Sequence, residues 1–519
     1  MNGQRVLVLG LGASGLAMAR WCARAGAAVR VWDSRAEPPQ AAELAHDCPQ
    51  AERLAVDFEG DAGAVAGALE GVTRVLKSPG LAPHDRRIEP VLRQARALGL
   101  PVQGELDLFA EALGALRAER GYAPRVLAVT GTNGKTTTTA MTALLVARAG
   151  RRVAMAGNVG PTLLDTLSTA LAGNASALPE VWVLELSSFQ LEGGGGGVTG
   201  FEPDAAVVLN VTQDHLDWHG SMDAYARAKA RVFGSRGALV LNRDDPLVEA
   251  MAPPPPGPVR GRAGPRTPAR AVLRFGLDAP RAPGDFGLVV EAGMAWLVRA
   301  LPAEPDAVSR RGVAAEPAEL HLQRLMPADA LRVRGRHNAA NALAALALAV
   351  AIGCPMAPML HGLREYGGEP HRVQWIGNVG DVEAYDDSKG TNVGATVAAL
   401  QGLGADRAPA RLVVILGGDG KGQDFAPLAP AVQAHARAVA LIGRDAGRIE
   451  AALADTGVPQ QRHATLEAAV SWCFGQVQPG DAVLLSPACA SLDMFRDYAH
   501  RAEVFAAAVQ ALAHDRGQP

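Results

Sequence analysis

The sequence predicts an α/β protein of three domains, each built on a mostly parallel sheet: a Rossmann-like N-terminal domain, a P-loop central domain and a Rossmann-like C-terminal domain. Three observations carry that expectation. Apolar runs of strand length alternate with helix-length stretches along all 519 residues, as in sheets covered by helices on both faces. Glycine-rich turns follow strand-like runs at GLGASG (10–15) and TGTNGK (130–135), the form of nucleotide-cradling turns. The length itself suits roughly three domains.

The elements follow in order. RVLVLG opens the chain as a strand, a helix-like run extends to Ala25, and AAVRVWD reads as the second strand, ending at Asp33. Together they form a βαβ unit opening with Gly10-x-Gly12-x-x-Gly15. VTRVLKSPGLAP reads as a further strand running into the turn Ser78-Pro79-Gly80. We take residues 1–122 as the first domain. The second, 123–368, starts with the apolar run Val126 to Val129 and continues through strands VWVLELS (181–187), AAVVLNVT (205–212) and GALVLNRDD (237–245). The Pro-, Arg- and Gly-rich stretch within 252–320 reads as a loop insertion, and Gly193–Gly197 as a flexible connection. RGRHNAANALAALALAVAIG (334–353) reads as a helix with an Ala/Leu core face. The third domain, 369–519, carries strands RLVVILGG (411–418), AVALIG (438–443) and DAVLLSP (481–487).

Composition narrows the class. Hydrophobic residues make up 48% of the chain, enough for several cores, yet no run of 18 apolar residues occurs, so no membrane span is expected. The start MNGQRVLVLG reads directly as a strand, and no signal peptide is expected. The five cysteines (Cys22, Cys48, Cys354, Cys473, Cys489) are scattered without metal-type spacing, which suits reduced thiols in a cytoplasm. A net charge of −3 argues against nucleic-acid binding. A monomer is the default expectation.

The chemistry concentrates at strand ends. After Val129 the chain turns through Gly131-Thr132-Asn133-Gly134-Lys135-Thr136-Thr137 into a helix-compatible run. Backbone N–H groups at such a turn, with the helix N-terminus behind them, attract phosphate oxygens. Lys135 would reach the outer phosphates, and Thr136 or Thr137 would offer a hydroxyl to Mg²⁺. The P-loop match is imperfect, because Val129 stands where the first glycine usually lies. Glu185 near the end of VWVLELSSFQL suits a Mg²⁺ ligand, and His215 in NVTQDHLDWH could bind a second metal or a substrate phosphate. GxGxxG alone is compatible with a dinucleotide such as NAD(P) or with a plain tight turn. Asn338 and Asn341, at a helix start, suit caps, and Lys229 on its own reads as a solvated helix lysine.

TGTNGKTT, ELSSFQL, NVTQDHLDWH, AYARAKARVF, GRHNAAN, DDSKGTN, GGDGKGQDF and SPACASLDMF occur in this order. Together they resemble the Mur ligase family, specifically its D-glutamate-adding branch, across nearly the whole chain apart from 252–320. The resemblance implies ATP, two Mg²⁺ ions, and the small-molecule substrates UDP-N-acetylmuramoyl-L-alanine and D-glutamate. It places Lys135, Glu185 and His215 in catalysis, with Lys229 as a carbamylated lysine, and Thr136, Glu185, His215 and Lys229 at the metals. Asn338, Asn341, Arg372, Asp387 and Lys389 would join the P-loop residues at ATP. Ala13, Ser14, Ser34 and Arg35 would contact the uridine nucleotide, so the first glycine fingerprint would hold UDP rather than NAD. Ser78 and Asn158 would contact the same substrate. Thr391, Lys421, Ser491, Leu492 and Tyr498 would hold D-glutamate. Ala13 and Ser14 stand where larger residues are common in the family, and Tyr498 where Phe is. No DNPR-type motif of the diamino-acid-adding relatives occurs. An oxidoreductase built on the first domain would leave Gly-Lys-Thr and the third domain unexplained, and a nucleotide switch would leave the extra α/β domain without a purpose.

Overall fold

The computed structural model describes residues 1–173, 178–253, 270–303 and 320–516. Its first sheet has the spatial order Glu52–Leu54, Ala28–Trp32, Arg5–Leu9, Arg74–Lys77, Val102–Gln103, parallel throughout. The central strand's Val6, Leu7, Val8 and Leu9 are all fully buried, as expected of a strand covered on both faces. Two glycines of the fingerprint are demanded by packing. A Cβ on Gly15 would lie 1.9 Å from the Gly10 carbonyl oxygen, and one on Gly10 would lie 2.9 Å from the Ser78 Cβ.

The second sheet is also parallel, in the order Val272–Phe275, Ala238–Asn242, Ala205–Val208, Arg125–Thr130, Val181–Glu185, Val153–Gly157. Its register sets Val129 opposite Glu185 and Thr130 opposite Val208, so the carboxyl ends of three central strands lie side by side. Helices Lys135–Arg148 and Arg336–Ala351 share one core on this sheet, through Met141, Leu145, Leu343 and Leu346. The third sheet runs Gln374–Val379, Val382–Asp386, Ala482–Leu485, Leu412–Gly417, Ala436–Ile442, Gln460–Arg462; only its first pair is antiparallel.

Two sequence expectations are corrected. The stretch 252–320 is not simply a loop. Val272–Phe275 extends the central sheet as an edge strand, and Phe286–Glu291, Met294–Pro302 and Leu320–Pro327 form a small antiparallel sheet. Phe286, Gly287 and Leu288 are buried while Val290 and Glu291 are exposed, so burial follows position along the strand and leaves no two-residue alternation for the sequence to show. Residues 254–269 and 304–319 of this stretch lie outside the described residues. The glycine run 193–197 is not a free connection either. Arg96 donates to the Gly194 carbonyl at 2.6 Å, and a Cβ on Gly194 would lie 2.1 Å from the Val102 carbonyl oxygen. Glycine here permits close approach to the first sheet.

All five cysteines are buried and unpaired. Burial pushes the Cys22 and Cys489 thiols up to about 12, so they are poor nucleophiles. Among the described residues no helix is long and apolar enough to cross a membrane.

Candidate active site

The loop 131–134 turns from strand to helix through two glycines at positive φ, Gly131 (154°) and Gly134 (82°). Packing also requires Gly134, since a Cβ there would lie 2.6 Å from the Asn341 Oδ1. Asn210 holds the turn from the next strand end: its Oδ1 accepts from the Asn133 amide at 2.8 Å, and its Nδ2 donates to the Asn133 carbonyl at 3.1 Å. Lys135 curls over the loop and donates to the Gly131 and Thr132 carbonyls at 2.9 and 2.8 Å.

Around this turn the sequence-predicted residues converge. Glu185 is 2% exposed, and its Oε1 accepts from Asn158 Nδ2 at 2.9 Å. His215 sits at positive φ (54°), with its ring 4.7 Å from that of Phe189 and its Nε2 3.6 Å from Asp214. Burial lowers the imidazole pKa, Asp214 opposes this, and the cations Lys421, Lys135 and Lys229 reinforce it. A neutral imidazole is the form that can bind metal. Lys229 is not the solvated lysine its helix suggests. It is 1% exposed, donates to the Gly131 carbonyl at 2.8 Å, and lies 4.3 Å from the Tyr225 ring centroid. Burial, helped by nearby Lys135, drives its pKa well below the ordinary lysine range.

A cavity of about 290 Å³ opens between the central and third sheets. Asn133, Gly134 and Thr137 line it from the loop, Asn338 and Asn341 from the helix behind, and Arg372, Asp387 and Lys389 from the third sheet's side. The two asparagines do not cap their helix: Asn338 Nδ2 donates to the Arg334 carbonyl and Asn341 Nδ2 to the Asn338 Oδ1. Arg372 donates to the Thr136 hydroxyl at 2.7 Å. It is aimed there by a backbone kink in which flanking His371 and Val373 both take positive φ (63° and 47°), a strained state for a β-branched residue. Burial pushes Asp387 up to about 7, although Ser486 donates to its carboxylate at 2.6 Å. Lys389 Nζ lies 5.2 Å from the Tyr498 ring centroid. Ser491 is buried, Thr391 follows Lys389 in the same loop, and Leu492 is 72% exposed. Lys421 is exposed.

The first sheet holds its own cluster. Ser34 and Arg35 border a cavity of about 510 Å³ that Ala13, Ser14 and Ser78 do not line. Arg35 forms a two-pronged pair with Asp33, both contacts at 2.9 Å. Burial opposes ionisation of Asp33, but the Arg35 guanidinium and the Leu11 and Arg35 amides outweigh it and hold the carboxyl at about 2. Ser78 donates to the Gly10 carbonyl at 2.8 Å, joining the SPG turn to the fingerprint.

A larger cavity, about 830 Å³, lies at the amino ends of the central strands, bordered by Arg125, Asp204, Gly237 and Ala271. Chemistry in open α/β sheets gathers at the carboxyl ends, where the titratable cluster lies. Sequence reasoning missed Arg501, Asn210 and Asn392. Arg501 is fully buried and donates to the Ser388 and Cys489 carbonyls, tying together the DDSKGTN and SPACASLD loops. Its place inside a helix far along the chain carries no local signal.

The donor set suits Mg²⁺. Glu185 and Thr136 offer hard oxygen ligands, and Mg²⁺ keeps several waters and substrate phosphates rather than needing a full protein cage. No group of three or more His, Cys, Asp or Glu converges among the described residues.

Residues 4–104 match the Mur ligase MurD-like N-terminal domain, 129–256 the Mur ligase middle domain, and 371–489 the Mur ligase glutamate ligase domain. The chain belongs to the Mur ligase family. A relative from Albidiferax ferrireducens named UDP-N-acetylmuramoylalanine--D-glutamate ligase is 59% identical over 100% of this chain and 98% of its own. A relative of the same name from Burkholderia mallei is 58% identical over 99% and 98%. The fold is also that of a UDP-N-acetylmuramate-alanine ligase MurC from Thermotoga maritima, with TM-score 0.56 at 20% identity over 98% of this chain and 99% of that one. A MurF ligase from Thermotoga maritima, solved in complex with ADP, has TM-score 0.53 at 17% identity over 87% and 92%.

Proposed function

We propose that this protein is the ATP-dependent ligase that joins D-glutamate to UDP-N-acetylmuramoyl-L-alanine, in the cytoplasm and as a monomer, on the way to peptidoglycan. The observation that carries this reading is the end-to-end match to relatives bearing that ligase's name. The reaction divides into two balanced steps. The substrate carboxylate attacks the γ-phosphorus of ATP, ADP leaves, and an acyl phosphate forms. The amine of D-glutamate then attacks the acyl carbon, and the tetrahedral intermediate expels phosphate while the nitrogen loses a proton.

The first step brings two anions together, so it needs cations and in-line positioning more than covalent help. Lys135 supplies one charge at the phosphate turn. Two Mg²⁺ ions would supply the rest by neutralising the approaching carboxylate and γ-phosphate. Thr136 and Glu185 would hold one, and His215 with Lys229 the other. A lysine amine is no ligand for Mg²⁺, but a carbamate is. Lys229 is buried and its pKa is driven down, so its amine is available as the neutral nucleophile that CO₂ requires. The carbon–nitrogen bond forms as one C=O π bond of CO₂ opens, the nitrogen loses one proton, and the neutral amine becomes an anion.

In the same reading residues 1–122 bind the uridine nucleotide, with Ser34 and Arg35 at its cavity and Ala13, Ser14 and Ser78 near it, while Asn158, on Glu185 in the central domain, meets the same substrate nearer the phosphate turn. Residues 123–368 bind ATP through Gly131 to Thr137, Asn338 and Asn341. Residues 369–519 complete the ATP site with Arg372, Asp387 and Lys389. They bind D-glutamate through Thr391, Lys421, Ser491, Leu492 and Tyr498, where a lysine and hydroxyls suit a dianionic amino acid. Phosphate release tests the whole reading: it should require ATP, the muramoyl-L-alanine nucleotide and D-glutamate together. Release that ignores D-glutamate, or that accepts another amino acid equally well, would overturn it.

A further inference from the structure

The turn that cradles phosphate and the loop that carries Thr391 are joined by one pair of side chains. Asn133 Nδ2 donates to Asn392 Oδ1 at 3.1 Å, and Asn392 Nδ2 donates back to Asn133 Oδ1 at 3.0 Å. The two residues stand 259 apart in sequence and belong to different sheets. Asn392 is 4% exposed.

Both amides are oriented by independent contacts. Asn392 Oδ1 also accepts from the Ala395 amide at 2.9 Å, as the N-cap of helix Val393–Arg407. That cap requires the oxygen on one side and so turns Nδ2 toward Asn133. Asn133 is pinned through its backbone N–H and carbonyl by the Asn210 amide, and its Nδ2 also lies 3.4 Å from the Thr212 hydroxyl. The Gly394 backbone closes on these side chains beside the pair: a Cβ on Gly394 would lie 2.9 Å from Thr212 Oγ1 and 3.3 Å from Asn133 Nδ2. The paired amides are therefore the polar centre of a tight contact that exists only when the third sheet's domain rests on the phosphate turn.

We propose that Asn133 and Asn392 form a positioning clasp that couples the phosphate turn to the D-glutamate loop; this rests on the ligase reading above. Asn392 directly follows Thr391 and lies three residues after Lys389. When the clasp is made, those two residues are held over the turn where the acyl phosphate forms. When it is broken, the loop is free to leave with its domain. A ligand that binds only the docked arrangement has its apparent affinity reduced by the docked fraction. The clasp thus sets the KM for D-glutamate, while saturating D-glutamate restores docking and kcat.

Two variants separate this from a role in helix capping. Asn392→Ser keeps a cap acceptor but cannot span to Asn133. Asn392→Asp keeps the shape and caps as well as Asn, but replaces the Nδ2 donor with an acceptor facing an acceptor. Asn392→Ser loses both clasp hydrogen bonds, and Asn392→Asp loses the one that Nδ2 donates and sets a carboxylate against Asp214. The D-glutamate KM should therefore rise in both, on the order of ten- to a hundredfold in Asn392→Ser, with a much smaller change in kcat and an unchanged melting temperature in Asn392→Ser. A wild-type D-glutamate KM in either folded variant would overturn the clasp, as would equal losses in kcat and every KM. The wild-type protein is assayed first, so that failure of the ligase reading is seen separately as phosphate release independent of D-glutamate. In that event small-angle scattering reads the clasp: compaction by an ATP analogue that Asn392→Ser abolishes supports it, and identical compaction in the two proteins overturns it.

Discussion

Lys135 and Lys229 both donate to the Gly131 carbonyl, the first from the phosphate turn and the second from helix Met222–Ala230. Lys135 already spends its protons on the Gly131 and Thr132 carbonyls, so it waits on the loop for phosphate oxygens rather than for a protein carboxylate. Lys135→Ala should leave the melting temperature and uridine-nucleotide binding nearly unchanged, because the side chain fills no core. It should lower kcat by at least about 10²-fold, the usual cost of removing a transition-state charge contact. Near-wild-type turnover would remove Lys135 from the mechanism. Among the described residues Lys229 makes no ion pair although it is buried, and Asp214 acts on it only at longer range, an arrangement that an amine carrying its own carboxylate would resolve. Lys229→Ala should also be nearly inactive, but short carboxylic acids such as formate should recover part of the rate by standing in for the lost anion. No recovery at any concentration, or full activity without it, would return Lys229 to a packing role. Glu185 and His215 were legible because strand ends are where carboxylates and imidazoles do chemistry. Lys229 was legible only through its motif, since helix position suggests solvent; its burial comes from Tyr225 and the turn folding over it. Asn392 was not legible at all as a contact residue, because its partner lies across two sheets.

At the scale of elements, alternating apolar runs sufficed for the parallel strands, whose Val, Leu and Ala residues are buried on both faces. They failed for Phe286–Glu291 and Met294–Pro302, where burial is confined to part of each strand and the flanking prolines and arginines dominate the composition. Junctions between elements carried no signal either, and Glu105 shows why. It begins helix Glu105–Arg120, yet its carboxylate accepts from the Leu164 amide, at 3.0 Å, in the first turn of helix Leu163–Ala172. Burial pushes this carboxyl from 4.5 up to about 6, against the opposing backbone hydrogen bonds. A raised carboxyl pKa means that the folded state holds the proton more tightly than the unfolded chain. Stability is therefore greatest below about pH 4.5, falls as pH rises to about 6, and is level above that. The penalty is about 2 kcal/mol when converted from the shift. Glu105→Gln, which keeps an acceptor for the Leu164 amide, should match wild type near pH 4 and exceed it by about that amount at pH 7. Denaturant midpoints at the two pH values check this, and a pH-independent difference would show that Glu105 titrates normally.

For the whole molecule, the order of elements gave away three doubly wound sheets, and the glycines and proline at 367–370 marked where the third begins. Which faces meet was not written in that order, because contact between sheets depends on side chains hundreds of residues apart. Here the third domain touches the phosphate turn through Arg372 on Thr136 and Asn392 on Asn133. Its connection holds two adjacent glycines, Gly367 and Gly368. Gly368 holds φ 95°, and the positive φ of His371 and Val373 just beyond costs energy that the docked contacts must offset. Without ligands the balance should favour release, since the phosphates that would draw Arg372, Lys389 and Lys135 together are missing. The acyl phosphate must also form away from water and then meet the amine, which requires the cleft to shut once loaded. Small-angle scattering should therefore give a larger radius of gyration for the free protein than this structure implies. The value should shrink toward it with an ATP analogue and the nucleotide substrate together. A radius unchanged across all ligand states would refute domain closure while leaving the chemistry of the phosphate turn intact, because Lys135, Glu185 and Lys229 are assembled within the central sheet's own elements.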